Sequence, residues 1–99
     1  MFLAFKLSMP GSPSWNGKWS GDGMPFFIVK NLGPSVKMRE KGDALIGDYG
    51  YVWPDGWRAN VSVREVDASE ARRLRANSRG FAGYDWMVES LLACGEIRI

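Results

Sequence analysis

Leu45-Ile46-Gly47-Asp48-Tyr49-Gly50-Tyr51-Val52-Trp53-Pro54-Asp55-Gly56-Trp57-Arg58-Ala59-Asn60-Val61-Ser62-Val63-Arg64-Glu65-Val66 is the stretch that decides the fold. At its middle, Trp53-Pro54-Asp55-Gly56-Trp57 is a turn with a mechanism. Pro54 presets φ at the second turn position, Asp55 suits the third, and Gly56 takes the left-handed position after them. That pattern is a three-residue hairpin loop with a bulge at the glycine. With Trp53 facing Trp57, Tyr51 faces Ala59, Tyr49 faces Val61 and Gly47 faces Val63. Strand side chains alternate between faces. The odd positions therefore gather Leu45, Tyr49, Tyr51, Trp53, Trp57, Ala59, Val61 and Val63. The even positions gather Ile46, Asp48, Val52, Arg58, Asn60, Ser62 and Arg64. The odd face is predicted to be core and the even face to meet water or a partner. Asp48 falls opposite Ser62 and diagonal to Arg64, within reach of a salt bridge.

A hairpin of this kind needs a layer to cover its apolar side. Asp67-Ala68-Ser69-Glu70 resembles a capping box and opens a helix from about Ala68 to Asn77. The apolar side of that helix is thin: Ala68, Ala71 and Leu74. Four arginines and no acid lie between Ala71 and Gly80. Arg72, Arg75 and Arg79 fall on roughly one side, and Arg73 points elsewhere. Ser78 to Gly83 breaks this helix. A second helix is predicted from about Tyr84 to Cys94, with Tyr84, Met87, Val88, Leu91 and Leu92 forming an amphipathic stripe. Gly95 stops it. Glu96-Ile97-Arg98-Ile99 reads as a last short strand. The stripe has its natural bed on the aromatic odd face of the hairpin.

On the other side, Phe2 to Ser8 and Phe26-Phe27-Ile28-Val29 read as strands. Val36 to Asp43 is charged and ends in the turn signal Lys41-Gly42-Asp43; a short strand or a connector both fit it. Strands followed by helices give an α+β fold with a mostly antiparallel sheet, the second C-terminal helix packed on one face. The 99 residues suit one domain spanning 1–99, and 45% hydrophobic with 24% charged residues is ordinary for a soluble globular protein.

Composition also excludes chemistry. There is no histidine, which removes the commonest general base and every Ser-His or Cys-His nucleophile. With Cys94 the single cysteine, no internal disulfide forms and a structural zinc site of the usual kind is excluded. This suits a reducing cytoplasm. Cys94 reads as a small buried hydrophobe at the end of its helix. No run reaches the roughly 20 apolar residues of a membrane span, and the apolar start lacks the basic leader of a signal peptide. A membrane partner is not expected. The formal charge of +2 is too small to imply nucleic acid by itself.

Between the first two strands lies Pro10 to Pro25, with four glycines, three prolines and Trp15 and Trp19. It has neither helical nor strand period, so it reads as a long loop. As a clamp, its indole faces would stack on a planar group, Lys18 would meet an anion, and Asn16, Asp22 and the glycine backbone would add polar contacts. As a structural flap, its tryptophans would plug the end of the core. Gly17-Lys18 is not a P-loop, because the glycine spacing is missing and Trp19 stands where the hydroxyl residue belongs.

The other candidates are weighed the same way. The aromatic ladder Tyr49, Tyr51, Trp53 and Trp57 would make an RNA-stacking platform if exposed, but the second helix needs that bed for burial. Trp53 and Trp57, at the hairpin tip, are the ones expected to be partly exposed. Arg72, Arg73, Arg75 and Arg79 suit phosphates or an acidic protein surface, or a solvated helix face. Asp85 and Glu89 share a helix face beside Trp86. They would do acid–base work only with Asp22, Lys18 or Ser20 in the same cleft, and Asp85 also suits the positive end of its own helix. No cofactor is implied.

Two octets, Ser14-Trp15-Asn16-Gly17-Lys18-Trp19-Ser20-Gly21 and Gly80-Phe81-Ala82-Gly83-Tyr84-Asp85-Trp86-Met87, resemble segments of small proteins carried by phages and prophages. Such proteins are often accessory factors that block bacterial defence, including anti-CRISPR proteins and sponges for nucleotide signals. The resemblance implies a non-enzymatic, anti-CRISPR-like binder in the bacterial host cytoplasm. Its partner would be a host defence protein or a nucleotide-like ligand, with a homodimer also open. The residues read above as candidates for that binding are Trp15, Asn16, Lys18, Trp19, Asp22, Trp53, Trp57, Arg72, Arg75, Arg79, Asp85 and Trp86. The alternatives are a nucleic-acid-binding module using the Arg-rich helix and the even sheet face, and a small hydrolase using Asp and Glu.

Overall fold

A computed structural model describes residues 1–8, 26–52, 56, 58–77 and 85–98. The elements are β1 (Phe2–Ser8), β2 (Phe26–Asn31), α1 (Val36–Leu45), β3 (Gly47–Val52), β4 (Arg58–Val66), α2 (Ala68–Asn77) and α3 (Asp85–Cys94). The four strands form one antiparallel sheet in the order β2-β1-β4-β3. The fold is α+β, as expected. The hairpin is not the middle of the sheet: β4 is interior and β3 is an edge, while β1 lies between β2 and β4.

The hairpin register is the one the turn chemistry dictates. Gly47 pairs with Val63, Asp48 with Ser62, Tyr49 with Val61 and Tyr51 with Ala59. Gly56 has φ +89°, the left-handed conformation the turn requires. The rest of the Trp53–Trp57 turn lies outside the described residues.

Alternation then sorts the sheet into two faces. Phe5 pairs with both Val63 and Ile28, so Leu3, Phe5, Leu7, Val61 and Val63 share what we call the front face. All five are buried, and Met87, Val88 and Leu91 of α3 and Leu45 of α1 complete the core over them. The predicted stripe of the last helix thus lands where expected. Gly95, at φ +75°, ends α3, and its N–H donates to the Leu91 carbonyl at 2.9 Å. Two exposed ion pairs fix the helices laterally: Lys30 to Glu89 of α3 at 3.0 Å, and Arg39 of α1 to Glu65 at 2.9 Å. Pairs of this exposure add about 0–1 kcal/mol each, so they set position more than stability.

The even face of the hairpin is exposed at Ile46, Asp48, Val52 and Asn60, as expected. The same side of the sheet, the back face, continues onto β1 and β2, and there α2 packs on it. Ala71 and Leu74 are buried against Ala4, Phe27 and Val66, with Phe2 and Val29 at the margin. The hairpin by itself did not show this bed, because most of its apolar residues belong to β1 and β2. The Asp67 cap is as expected: its carboxylate accepts from the Glu70 N–H at 2.7 Å.

Three further expectations are corrected. Val36 to Asp43 is neither strand nor connector but most of α1. Asn31 Oδ1 accepts from the Gly33 N–H at 2.9 Å, and Ser35 Oγ caps the helix by accepting from the Met38 N–H at 3.2 Å. Gly42 is no turn; it is a buried helical residue whose missing Cβ leaves room for the Met1 thioether and for Leu32 Cδ1. Leu45 ends this helix rather than starting the hairpin, though its side chain still enters the front core.

Glu96 to Arg98 form no strand. The Arg98 N–H instead donates to Ser90 Oγ at 2.9 Å, and Ile97 packs partly on the front core. Cys94 is exposed, with its thiol donating to the Ser90 carbonyl at 3.0 Å. Ala93, Cys94 and Gly95 are all exposed, so the last turn of α3 runs past the core it covers.

Leu74 is the test of the back-face layer. Leu74→Ala is expected to cost about 2–5 kcal/mol in denaturant unfolding, comparable to Leu91→Ala on the front. A loss below about 1 kcal/mol would show that α2 is not integral to the fold.

Candidate site on the back face of the sheet

Helix α2 leans over β2 and β1. Among the described residues no element packs over the back face of β3 and the Asn60–Ser62 part of β4. Here Asp48, Tyr49, Gly50, Asn60 and Ser62 line an open depression of about 360 Å³. Gly50 forms part of its floor, since a side chain there would meet only Asn60 Oδ1, at 3.8 Å. Val52 is 57% exposed at the hairpin side of the same face.

The register builds a polar row across three strands. Lys6 pairs with Ser62, and Ser62 pairs with Asp48. Arg64 is the diagonal neighbour of Lys6 on β4. Its Nη2 donates to Glu70 at 3.2 Å, and Arg73 reaches the same carboxylate oxygen at 3.4 Å. The expected partner of Arg64 was Asp48; the ion pair formed is with α2, which lies on that side. Burial first, and then the Arg64 charge, push the Lys6 ammonium below the ordinary lysine value of 10.5, while Asp48 pulls it back up. On the front, burial raises the Tyr49 phenol above 10.0, and its hydroxyl donates to the Leu45 carbonyl at 2.7 Å.

The residues singled out from sequence are not gathered in one place. Arg72 and Arg75 are exposed on α2, over the back face. Arg75 folds down on the sheet: Nη2 donates to the Val29 carbonyl at 3.4 Å, and the guanidinium lies 5.8 Å from the Phe2 ring centre. Asp85 is exposed and Trp86 half-buried on α3, over the opposite face, where Trp86 packs on the core. Glu89 is engaged with Lys30. Of the aromatic ladder, Tyr49 is half-buried against the front core. Trp15, Asn16, Lys18, Ser20, Trp19, Asp22, Trp53, Trp57 and Arg79 lie outside the described residues.

Their attachment points are described, however. Ser8, from which residues 9–25 depart, pairs with Asn60, and Phe26, where they rejoin, pairs with Leu7. Val52 and Arg58, which flank the hairpin turn, pair with each other two residues beyond Gly50 and Asn60. Both segments are therefore tethered at the end of the sheet that carries the depression.

Sequence reasoning placed Asp48, Asn60 and Ser62 on a water- or partner-facing side but did not single out Lys6 or Gly50. Both carried a signal. Lys6 interrupts an apolar strand between Phe5 and Leu7, and Gly50 is a glycine within a strand, which often marks close approach of another group. Among the described residues no three of Cys, Asp and Glu come together as metal ligands, and no helix is long and apolar enough to cross a membrane. No protein-family model, no curated protein and no solved structure matches this chain.

The charged form of Lys6 is the disfavoured one in the fold. Its cost is present at neutral pH and is relieved as pH rises through the lowered value toward 10.5. In an NMR titration Lys6 is expected to deprotonate below 10.5 and Tyr49 above 10.0. Asp48→Asn should move Lys6 further down; an upward move would mean the two groups do not face each other.

Proposed function

We propose that this chain is a non-enzymatic binding protein of the anti-defence kind that phages carry. It acts by sequestering a nucleotide-like ligand of the bacterial host. The observation that carries the reading is the part of the back face that no described element covers, where the Asp48 carboxylate, the Asn60 amide and the Ser62 hydroxyl line one concave surface and Lys6 pairs with Ser62 beside it. A small polar ligand needs such convergence. An inhibitor that docks on a host protein would instead need a broad patch with aromatic or arginine anchors. The exposed large hydrophobics among the described residues are Val36, Ile46 and Val52, which form no such centre.

In this reading the segment bearing Trp15, Asn16, Lys18, Trp19 and Asp22, tethered beside the depression, supplies stacking rings and a cation. Trp53 and Trp57 add to it from the hairpin. The second reading, a nucleic-acid-binding module, draws on Arg72 and Arg73, which are exposed on α2 beside the same face. That reading requires binding that falls steeply with added salt. A hydrolase built on Asp85 and Glu89 draws least support, since Glu89 is already paired with Lys30.

Native mass spectrometry of the purified chain, repeated after denaturation, should show a small molecule that leaves on unfolding. A co-purifying protein would favour the host-protein form instead. Trp15→Ala with Trp19→Ala should weaken capture of the released molecule by about 1–3 kcal/mol per stacking ring. Unchanged affinity in that folded variant would remove the loop from the reading.

A further inference from the structure

We propose that the outer edge of β3 is a dimer interface, across which β3 of a second copy pairs antiparallel about a two-fold axis at Gly50. The inference goes beyond the ligand reading above and does not depend on it.

The two edges of the sheet, β2 and β3, are not alike. An open strand edge is a row of unpaired N–H and C=O groups, which proteins guard with lysines, prolines, bulges or a covering helix. β2 is guarded in this way. It carries Lys30, α2 packs against Phe27, and Arg75 of α2 donates to the Val29 carbonyl at 3.4 Å. β3 has none of these devices. Its six residues, Gly47-Asp48-Tyr49-Gly50-Tyr51-Val52, hold no lysine, arginine or proline, and their pairing to β4 runs through without a bulge. Gly47, Asp48, Gly50 and Val52 are exposed, and among the described residues no strand pairs with the outer edge.

A second copy is the occupant that leaves no such edge behind. A foreign strand laid on β3 would present its own outer edge in turn. Two copies joined by a two-fold cover both β3 edges at once. The joined sheet then ends on β2 at each side, the edge that is already guarded.

Charge selects the register. The two faces stay continuous only when the axis falls on a residue, so that positions of like parity stand opposite each other. An axis on Asp48 or Tyr49 would set the two Asp48 carboxylates directly opposite or diagonal to each other. An axis on Tyr51 would pair less of the strand. With the axis on Gly50, Asp48 stands opposite Val52 of the partner subunit and the carboxylates are well apart. Gly50 then faces its own copy. This gives a use to a glycine that its own fold does not need: its φ is not in the left-handed region, and a side chain there would meet only Asn60 Oδ1, at 3.8 Å. On the back face the depressions of the two copies adjoin across the glycine pair.

Sedimentation velocity of the whole chain over a concentration series should show a monomer–dimer equilibrium. The dimer should be weak, because a pair of six-residue strands is only about 20 Å long and small beside a standard interface. Gly50→Lys sets two ammonium groups opposite each other at the axis. It should weaken the dimer at least about tenfold while denaturant unfolding of the monomer is kept. Gly50→Glu should do the same, and an equimolar mixture of the two variants should pair again. Val52→Lys, facing Asp48 of the partner subunit, should tighten the dimer. A chain that stays monomeric throughout would overturn the proposal, and so would a dimer that neither Gly50 variant weakens. Tighter pairing in Gly50→Lys, or weaker pairing in Val52→Lys, would overturn the axis. Hydrogen exchange adds a further check: the β3 amides not bonded to β4 should be protected in the dimer and open in the monomer. Protection of those amides in the monomer would show that another part of the chain covers the edge, which sinks the proposal.

Discussion

One ten-residue helix cannot cover the back of a four-stranded sheet. A helix of that length is about 15 Å long and 10–12 Å across. Four strands spaced at about 4.8 Å, some of them more than 20 Å long, present more surface than that. The rest of the molecule follows from this mismatch. The apolar residues of the back face, Ala4, Phe27 and Val66, cluster where α2 reaches them. Beyond its reach the same face is mostly polar, with Lys6, Asp48, Asn60 and Ser62 beside the exposed Val52. On the front, α3 and the end of α1 share the covering, so the buried positions span β1 and β4, and the charged front-face residues Lys30 and Glu65 pair with Glu89 and Arg39 on those helices.

Strand β1 carries the consequence most directly. It lies inside the sheet and buries Leu3, Phe5 and Leu7 on the front while Ala4 is buried on the back. The next back-face position after Ala4 is Lys6, at the boundary of the α2 footprint. A lysine there keeps its charge only at a cost, being partly desolvated beside Arg64. Residues that violate local preference without a structural return are the ones expected at a working surface. Gly50 belongs to the same category on β3. On this half of the back face, Lys6 and Gly50 are thus the two residues that local preference alone does not select.

Much of this was legible from local chemistry. The Pro54-Asp55-Gly56 turn set the hairpin register, and with it the two faces, before any packing was known. The Asp67 cap and the Gly95 stop marked two helix ends through hydrogen bonds that neighbouring residues make. Helix α1 was illegible for a related reason. Its buried contacts are Gly42 and Leu45, too few to make a period, and its glycine resembles a turn unless Met1 and Leu32 are known to press against it. The buried reading of Cys94 failed because helical spacing shows which side of a helix a residue shares, not whether a neighbour extends that far.

What the sequence alone determined is the hairpin register, the Asp67 cap and the Gly95 stop, the α+β class and the exclusion of histidine chemistry. All of these depend on residues near one another in the chain or on residue types that are absent. Tertiary structure decided that α2 crosses to the back face, that it packs on β1 and β2, and that Asp48, Gly50, Asn60 and Ser62 meet around one depression. Those facts depend on where β1, distant in sequence, inserts beside β4. Strand pairing across more than fifty residues is governed by total burial, which no local pattern of residues records.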